Sequence, residues 1–570
     1  MWLVIFEPVP PMTRPRAVPR NVLVTHSVPR SQMISLRRQP AAPGIAAREF
    51  VDSALRAVAR ETDATGHIPD QIVDQMRELG YFGLTIPEEY GGVGLGLVEY
   101  LEVVRELART NAAFQELTEE NNGIGSAALL IAGSEEQKQE WLPRLATGEA
   151  LGSFAVTEPN AGSDVAAIQT TARKVEGGYL LNGTKHFITH GSEAGLITVV
   201  ARLMPSESSI EFGLFLVTPG MDGFKVARLQ PMMGYRASGQ AELVFNDVFV
   251  PTDAMLGEPG DGFRTTMQTL DRGRLTVAAD CLGAAEELLD RTIEYAKVRT
   301  TFGRALARRG EIRAMIATAA IDLFCIESAL YEFAECSDTG ENIRAATARV
   351  KLFASEAASQ VADRAMQIHG GVGYTTEAEI ERYFRDLRVM RIAEGASEVM
   401  RISIASAIRR ALNGPHSTSI VSLGPPGDAL GSEADDTGRL LRMTEGKLRD
   451  QALADLDPDQ CLSEVRDARL ADQAARWTVV DSARRRLAVL IAHRGESDAA
   501  EVARLGLYWA ARRLAGDAVE GARLAAVASG GVGSYQSDVE ELDALDRHLG
   551  TTDQVLDRVA DGVLQEARHD

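Results

Sequence analysis

The spacing of apolar positions divides the chain into helical and strand-rich regions. From Ala46, apolar residues recur three or four positions apart, as on the buried face of an amphipathic helix, and this pattern continues to about residue 150. From Leu151 to about Val250, short β-rich runs separated by turn residues predict a compact antiparallel β domain. Helical spacing returns in long segments such as 277–297 and 313–333. The order of these regions predicts the α+β class.

Changes in composition predict six segments. Residues 1–44 are rich in Pro and Arg and nearly free of acid, which indicates a disordered leader or an incorrectly assigned start, with an organelle transit peptide as the alternative. Residues 413–436 are rich in Gly, Pro and Ser and form a linker. The other four segments are an N-terminal helical domain at 45–150, a central β domain at 151–258, a C-terminal helical domain at 259–412 and an additional helical domain at 437–570.

Within the β region, strands are predicted at 151–157, 179–189, 196–201, 212–217 and 241–248. Asn182-Gly183 and Asp222-Gly223 are dipeptides typical of turns and hairpins. In the helical regions, the Gly-rich turn at 370–373 returns at 530–533, each time after an Ala-rich helix. The repeat predicts that residues 439–570 are a degenerate copy of the preceding helical domain, and chance recurrence is the alternative.

Composition argues against several classes of function. The net charge of −21 argues against a nucleic-acid partner, because phosphate contacts need a basic surface, although a local pocket for a phosphorylated cofactor stays open. Apolar runs fall far short of the about 20 residues that cross a bilayer, so no integral membrane segment is predicted. The four cysteines form no C-x-x-C pair and indicate reduced thiols in a cytoplasmic compartment, or in the mitochondrial matrix if the leader is a transit peptide.

One strand-to-turn segment carries the most informative chemistry. The chain has no G-x-G-x-x-G between strand and helix, no G-x-x-x-x-G-K-[ST] and no clustered His or Cys, so no metal site is predicted. Residues 154–164 read F-A-V-T-E-P-N-A-G-S-D. A strand that enters a turn of small and hydroxyl residues exposes N–H and hydroxyl groups together. Such a segment can hydrogen-bond one edge of a planar heterocycle.

With four later motifs, this segment resembles the acyl-CoA dehydrogenase family. The motifs stand in the family's order and are T-E-P-x-A-G-S-D at 157–164, N-G-x-K-x-x-I-T at 182–189, R-x-x-F-G at 299–303, Q-x-x-G-G-x-G-[YF] at 367–374, and R-D followed by E-G-T-S-[EQ] at 385–398. Phe187 replaces the family's usual Trp and loses an N–H donor, and Ala396 replaces its usual Thr and loses a hydroxyl contact.

The resemblance implies an FAD-dependent enzyme that desaturates an acyl-CoA thioester to the trans-2-enoyl-CoA, as in fatty-acid β-oxidation. It implies an N-terminal α-helical domain, a central antiparallel β domain and a C-terminal four-helix-bundle domain, followed here by the additional helical domain. The residues along or beside the flavin would be Phe154, Val156, Thr157, Ser163, Phe187, Ile188, Thr189, Ala396 and Glu398. Those that reach the cofactor of a neighbouring subunit or its pyrophosphate would be Arg299, Thr301, Phe302, Gln367, Gly370 and Gly371. Those that hold the substrate would be Ser163, Asp271, Arg274 and Gly395.

Glu394 is the residue that the resemblance identifies as the catalytic base. The α-hydrogen of a thioester is weakly acidic, so its removal needs a positioned base and stabilisation of the developing enolate oxygen. The family holds that oxygen with this residue's own N–H and a ribityl hydroxyl of FAD. Burial would raise the carboxyl pKa above its ordinary value of about 4.3. Some members place the base at the position of Gly273, which cannot act as one. The alternative for Glu394 is a carboxylate at a helix start.

Three other functions stay open: an acyl-CoA oxidase, a non-catalytic or DNA-associated FAD protein of the same fold, and a flavin monooxygenase. The implied partners are an acyl-CoA substrate, electron-transfer flavoprotein as electron acceptor, and a second copy of the chain. The additional domain resembles that of the very-long-chain type, which is dimeric and membrane-associated. Glu116 and Glu120, however, align near the closed end of the acyl pocket and would shorten it. The additional domain predicts a homodimer. Because the two features conflict on the length of the pocket, the acyl chain length stays open.

Overall fold

The computed structural model describes Arg37, Arg38 and residues 40–204, 211–341, 343–412, 436–454, 460–494, 497–528, 536–549 and 552–564. Helices, a sheet and further helices follow one another in the predicted order, which confirms the predicted fold class. The second Gly-rich turn at 530–533 and residues 413–435 of the linker predicted at 413–436 lie outside the described residues. Asp436, the last residue of the predicted linker, already begins a helix.

The N-terminal domain is helical because its apolar residues recur at helical spacing. Its helices are α1 (Ala42–Phe50), continued by a π-helical turn (Val51–Leu55), α2 (Arg56–Thr65), α3 (Asp70–Glu78), α4 (Leu97–Leu107), α5 (Ala112–Asn122), α6 (Ile124–Ala132) and α7 (Glu135–Ala146). Before α1, Arg37 pairs with Asp290 at 3.0 Å and Arg38 with Glu102 at 2.9 Å. The prediction of a disordered leader is therefore wrong for its last residues, because two of its arginines bind carboxylates of helical domains.

The central domain is built around one eight-stranded sheet. Its strands are β1 (Gly152–Ala155), β2 (Thr171–Val175), β3 (Gly178–Ile188), β4 (Leu196–Met204), β5 (Phe212–Val217), β6 (Phe224–Leu229), β7 (Ala241–Pro251) and β8 (Met255–Leu256). The order is β6-β7-β3-β2-β4-β5-β8, with β1 also paired to β4. The sheet is mainly antiparallel, as predicted, and β4 pairs in parallel with β1 and β2.

Two local predictions in the sheet fail for physical reasons. Strands β2 and β6 were missed because both contain charged residues, which weakens the alternation of apolar and polar positions. Most residues of β6 are also exposed, since this strand lies at an edge of the sheet. Asn182-Gly183 is no turn but a bulge inside β3. There, Gly183 has a φ of 155° and a Cβ at this position would lie 2.4 Å from Thr170 Oγ1, so glycine permits close approach of two segments.

The C-terminal domain packs long helices against one another. They are α8 (Gly262–Val298), α9 (Gly310–Asp338), α10 (Arg344–His369), α11 (Ile380–Val389) and α12 (Ser397–Leu412), with a small hairpin of β9 (Thr300–Thr301) and β10 (Arg304–Ala305) after α8. Helix α9 is long and apolar enough to cross a membrane, but 83% of its most apolar window is buried inside the protein. Burial of this kind is typical of a core helix.

The additional domain consists of α13 (Asp436–Ala454), α14 (Gln460–Arg494), α15 (Asp498–Ala528), α16 (Gln536–Leu549) and α17 (Thr552–Leu564). Helix α14 packs against α9, α10 and α12, and α17 packs against α9. Ion pairs such as Arg401–Asp472 at 2.8 Å and Arg485–Glu332 at 2.8 Å join the two domains. The additional domain thus covers an outer face of the preceding bundle.

Candidate active site

The ends of β1 and β3 lie side by side, and a buried lysine holds them together. The Nζ atom of Lys185 donates hydrogen bonds to the Val156 carbonyl and to Glu158 Oε1, both at 2.8 Å. The N–H of His186 donates to the Thr157 carbonyl at 2.8 Å. Burial lowers the pKa of Lys185 to about 8, and the Glu158 carboxylate opposes this shift. The two motifs that were predicted to meet the flavin therefore form one surface.

The predicted flavin residues on this surface differ in exposure. Phe154 and Val156 are buried in the adjoining core, and Ser163 is exposed on the turn. Phe187 has 54% of its surface exposed and a φ of 57°, while Ile188 beside it is buried. An aromatic residue held in this strained backbone region and open to solvent is unusual unless a ligand or partner covers it.

Thr189 connects this surface to α5. Its carbonyl accepts a hydrogen bond from Ser153 Oγ at 2.6 Å, and its Oγ1 accepts one from Gln240 Nε2 at 2.8 Å. The same hydroxyl donates to Glu116 Oε1 at 3.3 Å. An exposed aromatic ring beside hydroxyl and backbone groups can cover the face and hydrogen-bond the edge of an isoalloxazine ring, so these residues fit FAD.

Glu394 lies in the turn between α11 and α12, where the backbone is strained. Its φ is 51°, and that of Gly395 is 100°. The Nζ atom of Lys351, a fully buried residue of α10, donates to the Gly395 carbonyl at 2.8 Å. Only glycine adopts the conformation of residue 395 without strain, and a Cβ there would lie 2.4 Å from Met400 Cε. The turn is therefore fixed from two sides, which orients the Glu394 side chain.

The Glu394 carboxyl group has the properties of a base poised near neutral pH. Its Oε2 atom is buried and makes no hydrogen bond within the described residues. Burial raises the pKa of Glu394 to about 7, while the positive charges of Lys351 and Arg274 act in the opposite direction. A carboxyl group with this pKa accepts a proton from carbon far better than an ordinary surface carboxylate.

The absence of a side chain at Gly273 makes room for this carboxyl group. A Cβ atom at Gly273 would lie 2.1 Å from Glu394 Oε2 and 2.4 Å from Oε1. Such distances are far below van der Waals contact, so any other residue at 273 would displace the Glu394 side chain. Gly273 on α8 thus determines where the Glu394 carboxyl group can lie.

The two residues predicted to hold CoA lie on the same stretch of α8. Arg274 Nη1 donates to Asp271 Oδ1 at 2.5 Å, and Arg344 Nε lies 2.6 Å from Asp271 Oδ2. Arg274 is buried, and its Nε atom has no hydrogen-bond partner within the described residues. Burial lowers the pKa of Arg274 from its ordinary value, and the nearby carboxylates of Asp271 and Glu394 oppose that shift.

A separate cleft of about 610 Å³ is lined in part by Tyr295, Val298 and His369. Val298 and His369 are chain neighbours of Arg299 and Gly370, which belong to the third set of predicted residues. The rings of Tyr295 and His369 stack at 4.4 Å, and Tyr295 Oη donates to the His369 carbonyl at 3.3 Å. Phe302, with a φ of 49°, has 96% of its surface exposed on the β9–β10 hairpin. The other predicted residues here are exposed or half-buried: Arg299, Thr301, Gln367, Gly370 and Gly371. A Cβ on either glycine would meet no atom within 4 Å.

This third set is distant from Glu394 within one chain. At about 1.5 Å of rise per residue, the length of α8 between Gly273 and its C-terminal neighbour Arg299 is about 39 Å. The structure therefore brings the predicted residues together in two places rather than one. Near Glu394, Ala396 begins the hydrogen bonding of α12 and Glu398 is exposed on its first turn.

Sequence reasoning missed several residues of the site. Lys351 of α10 is fully buried. Lys185 is also fully buried, on β3, and its motif was quoted without a role for the lysine. Glu119 and Asp280 were also missed, and both are buried on helices that border Glu394. A charged residue in an otherwise apolar helical stripe was the available signal, since such a residue is seldom buried unless it is paired or functional.

Comparison with known proteins relates the whole catalytic part of the chain to one family. Models of the acyl-CoA dehydrogenase N-terminal, middle and C-terminal domains match residues 45–149, 153–248 and 260–409. An acyl-CoA dehydrogenase of Bacillus subtilis is 36% identical over 63% of this chain and 94% of its own length. The mouse mitochondrial short-chain specific acyl-CoA dehydrogenase is 37% identical over 64% and 88%.

A crystal structure of an acyl-CoA dehydrogenase from Bacillus anthracis, complexed with FAD, aligns with a TM-score of 0.81 at 25% identity. It covers 94% of this chain and 98% of its own, so the similarity in fold extends into the additional helical domain.

Proposed function

The chain belongs to the acyl-CoA dehydrogenase family, and we propose that it desaturates the Cα–Cβ bond of an acyl-CoA thioester with Glu394 as the base. It is an oxidoreductase that acts on CH–CH groups, and its cofactor is FAD. The observation that carries the proposal is the Glu394 carboxyl group, with a buried, unpaired Oε2 atom and a pKa raised to about 7.

In this proposal, Glu394 takes the α-proton and becomes a neutral carboxylic acid. Lys351 holds the turn that carries the base, and Gly273 leaves the space in which its carboxyl group stands. Arg274 and Asp271, near that carboxyl group on α8, hold the CoA part of the substrate. FAD, when bound, accepts the hydride that leaves the β-carbon. Phe187, Thr189 and the backbone at Thr157 and Val156 would hold its ring.

The distance between the two groups of cofactor residues supports a homodimer as part of this proposal. Arg299, Phe302 and Gln367 lie near the far ends of α8 and α10 from the Glu394 site. One copy therefore places these residues where they could reach the FAD of a second copy. The 96% exposure of Phe302 supports this, because an apolar ring of that size is normally covered by a partner.

We also propose that the acyl group is short and that electron-transfer flavoprotein accepts the electrons from the reduced flavin. The relative from mouse is named as short-chain specific. In this chain, Glu116 and Glu120 on α5 are directed into the region beside Glu394 and Thr189, where they limit the space for a long apolar chain. Both features favour a short substrate.

The test is anaerobic addition of acyl-CoA thioesters to the FAD-loaded protein, followed by flavin absorbance. We expect bleaching by the wild type. Glu394→Gln removes the base with little change in volume, so it should keep FAD and ligand binding while the bleaching rate falls by about 10³-fold. Glu140→Gln, at an exposed position of α7, is the control and should bleach at close to the wild-type rate. Near-native bleaching by Glu394→Gln would show that another residue takes the proton.

A further inference from the structure

Three glutamates of α5 form a buried acidic face next to the base. Glu116, Glu119 and Glu120 occupy positions three and four apart, so they lie on one side of the helix. Helix α5 packs against α8, which carries Gly273, and against β1. Glu116 accepts a hydrogen bond from Thr189, which borders the proposed flavin site. The acidic face is therefore directed to the region between the flavin surface and the base.

Several oxygen atoms on this face lack partners. Glu119 is 6% and Glu120 1% exposed, yet Glu119 Oε1 and Glu120 Oε2 make no hydrogen bond within the described residues. The hydroxyl of Tyr100, on α4, is likewise buried and without a partner there. Buried polar atoms are nearly always satisfied, and leaving one unpaired costs about 1–3 kcal/mol. Three such atoms near one another point to a polar group that arrives with a ligand.

The charged groups that act most strongly on this acidic face are other carboxylates. Burial raises the pKa of Glu119 well above its ordinary value, and the carboxylates of Glu394, Glu116 and Glu120 raise it further. Burial also raises the pKa of Glu116 to about 8, with contributions from Asp280 and Glu394. The leading causes of these pKa shifts after burial are neighbouring carboxylates, among them Glu394.

A metal ion does not fit this cluster. Within the part of the chain that the structure describes, no group of three or more His, Cys, Asp or Glu side chains has the arrangement needed to hold one. An organic cation differs from a metal ion in that it spreads its donors over several ångströms. Separate carboxylates on successive turns of a helix suit such a donor set.

We propose that the acyl group of the substrate carries an ammonium or guanidinium group, which the carboxylates of Glu119 and Glu120 bind at the closed end of the acyl pocket. This inference rests on the proposed function, because it assigns the substrate class of the same site. Glu116 accepts a hydrogen bond from Thr189, so the acidic face adjoins the proposed flavin surface. The Tyr100 hydroxyl offers an additional acceptor. A purely apolar acyl group would leave all of these atoms buried and unsatisfied.

The test compares acyl-CoA thioesters that differ only at the end of the acyl chain. A homologous series of chain lengths is made with a terminal ammonium, hydroxyl or methyl group. At chain lengths where a free amine would attack its own thioester, esters with a terminal guanidinium group replace the ammonium esters. Their neutral urea analogues are then the comparison. The FAD-loaded full-length protein is assayed for kcat/KM and, with Glu394→Gln, for Kd. We expect the cationic ester of the best length to exceed its methyl or urea analogue by about tenfold or more.

Variants locate the source of that preference. Glu119→Gln and Glu120→Gln keep shape and remove charge, so each should reduce the ratio of kcat/KM for the cationic ester to kcat/KM for the methyl-terminated ester by about tenfold. Glu140→Gln, at an exposed position of α7, removes one charge elsewhere and should leave the preference unchanged. Flavin content and thermal midpoint are measured for every variant, and a Glu119→Gln/Glu120→Gln double variant must lose the preference altogether.

Three results would overturn the inference. They are equal or better turnover of methyl-terminated esters at every length, equal turnover of hydroxyl and ammonium esters, and a preference that survives in the double variant. Failure of the proposed function is a distinct result, since no ester of any kind, methyl-terminated included, would then bleach the flavin. A cation preference that is lost in both single variants and kept in Glu140→Gln supports the inference.

Discussion

Replacing Lys351 with Met should shift the pH dependence of catalysis without removing any group that touches the substrate. Lys351 is fully buried on α10, and its Nζ atom donates to the Gly395 carbonyl at 2.8 Å. Burial lowers the pKa of Lys351 to about 8, so the side chain is mostly positive at neutral pH. That charge opposes the burial that raises the pKa of Glu394 to about 7.

The size of the effect follows from the charge that is lost. A neighbouring opposite charge shifts a carboxyl pKa by about 1–3 units, and the lower end applies because Arg274 remains beside Glu394. Loss of the Lys351 charge should therefore raise the Glu394 pKa from about 7 to about 8. At pH 7 the ionised fraction falls from about one half to about one tenth, which lowers kcat/KM about fivefold. The rate should recover as the pH approaches about 9.

The assay is kcat/KM against pH for the wild type, Lys351→Met and the control Lys138→Met, whose lysine lies on α7 away from the site. The base must be ionised, so the rate rises with pH and the midpoint of the rise reports its pKa. We expect a midpoint about one unit higher in Lys351→Met only. An unmoved midpoint, or a loss of equal size at every pH, would refute electrostatic tuning and indicate displacement of the turn instead.

Three further predictions follow from the geometry. Gly273→Ala should lower kcat by about 100-fold with FAD content unchanged, since the new Cβ would lie 2.1 Å from Glu394 Oε2; near-native kcat would contradict the placement of the base. Glu116→Gln should gain stability relative to the wild type between about pH 5 and pH 8 in denaturant unfolding. Because the pKa of Glu116 is raised to about 8, the wild type should lose about 1.4 kcal/mol of unfolding free energy for each pH unit between the ordinary carboxyl pKa and about 8. A stability difference between variant and wild type that does not change with pH would contradict this. The protein should be a dimer with one FAD per chain by light scattering and flavin absorbance. Phe302→Glu changes an exposed residue of the proposed dimer interface and should lower both dimer and FAD content. A tetramer, or a variant dimer with full flavin, would contradict the proposal.

Much of the fold could be predicted because its elements are long and strongly patterned. The predicted helices at 277–297 and 313–333 fall inside α8 and α9, whose apolar residues repeat over many turns. The missed strands β2 and β6 depend on pairing with neighbours rather than on their own apolar residues. The bulge at Gly183 was read as a turn because glycine permits both, and only the contact with Thr170 distinguishes them.

The candidate site could be predicted only where its residues belong to local motifs. Glu394 and Phe187 stand in such motifs, and their unusual backbone conformations are local properties of a turn and a strand end. Lys351 and Glu119 act through contacts with residues far away in the chain, so their position in a helix pattern says only that they are buried. Whether a buried charged residue stabilises the fold or takes part in chemistry depends on its neighbours in space. The spacing of residues along the sequence does not reveal those neighbours.

The proposed base, Glu394, is controlled by elements outside the turn that carries it. Glu394 contributes the carboxyl group, but α8 supplies the space through Gly273, and α10 supplies a positive charge through Lys351. Because α5 places further carboxylates beside the same space, the charge of whatever fills the pocket acts on Glu394 as well. A cationic acyl group would stabilise the ionised base, whereas an apolar one would leave it surrounded by like charges. The same positive charge on the acyl group would then bind the carboxylates of α5 and favour ionised Glu394. Substitutions on α5 should therefore alter kcat together with substrate preference.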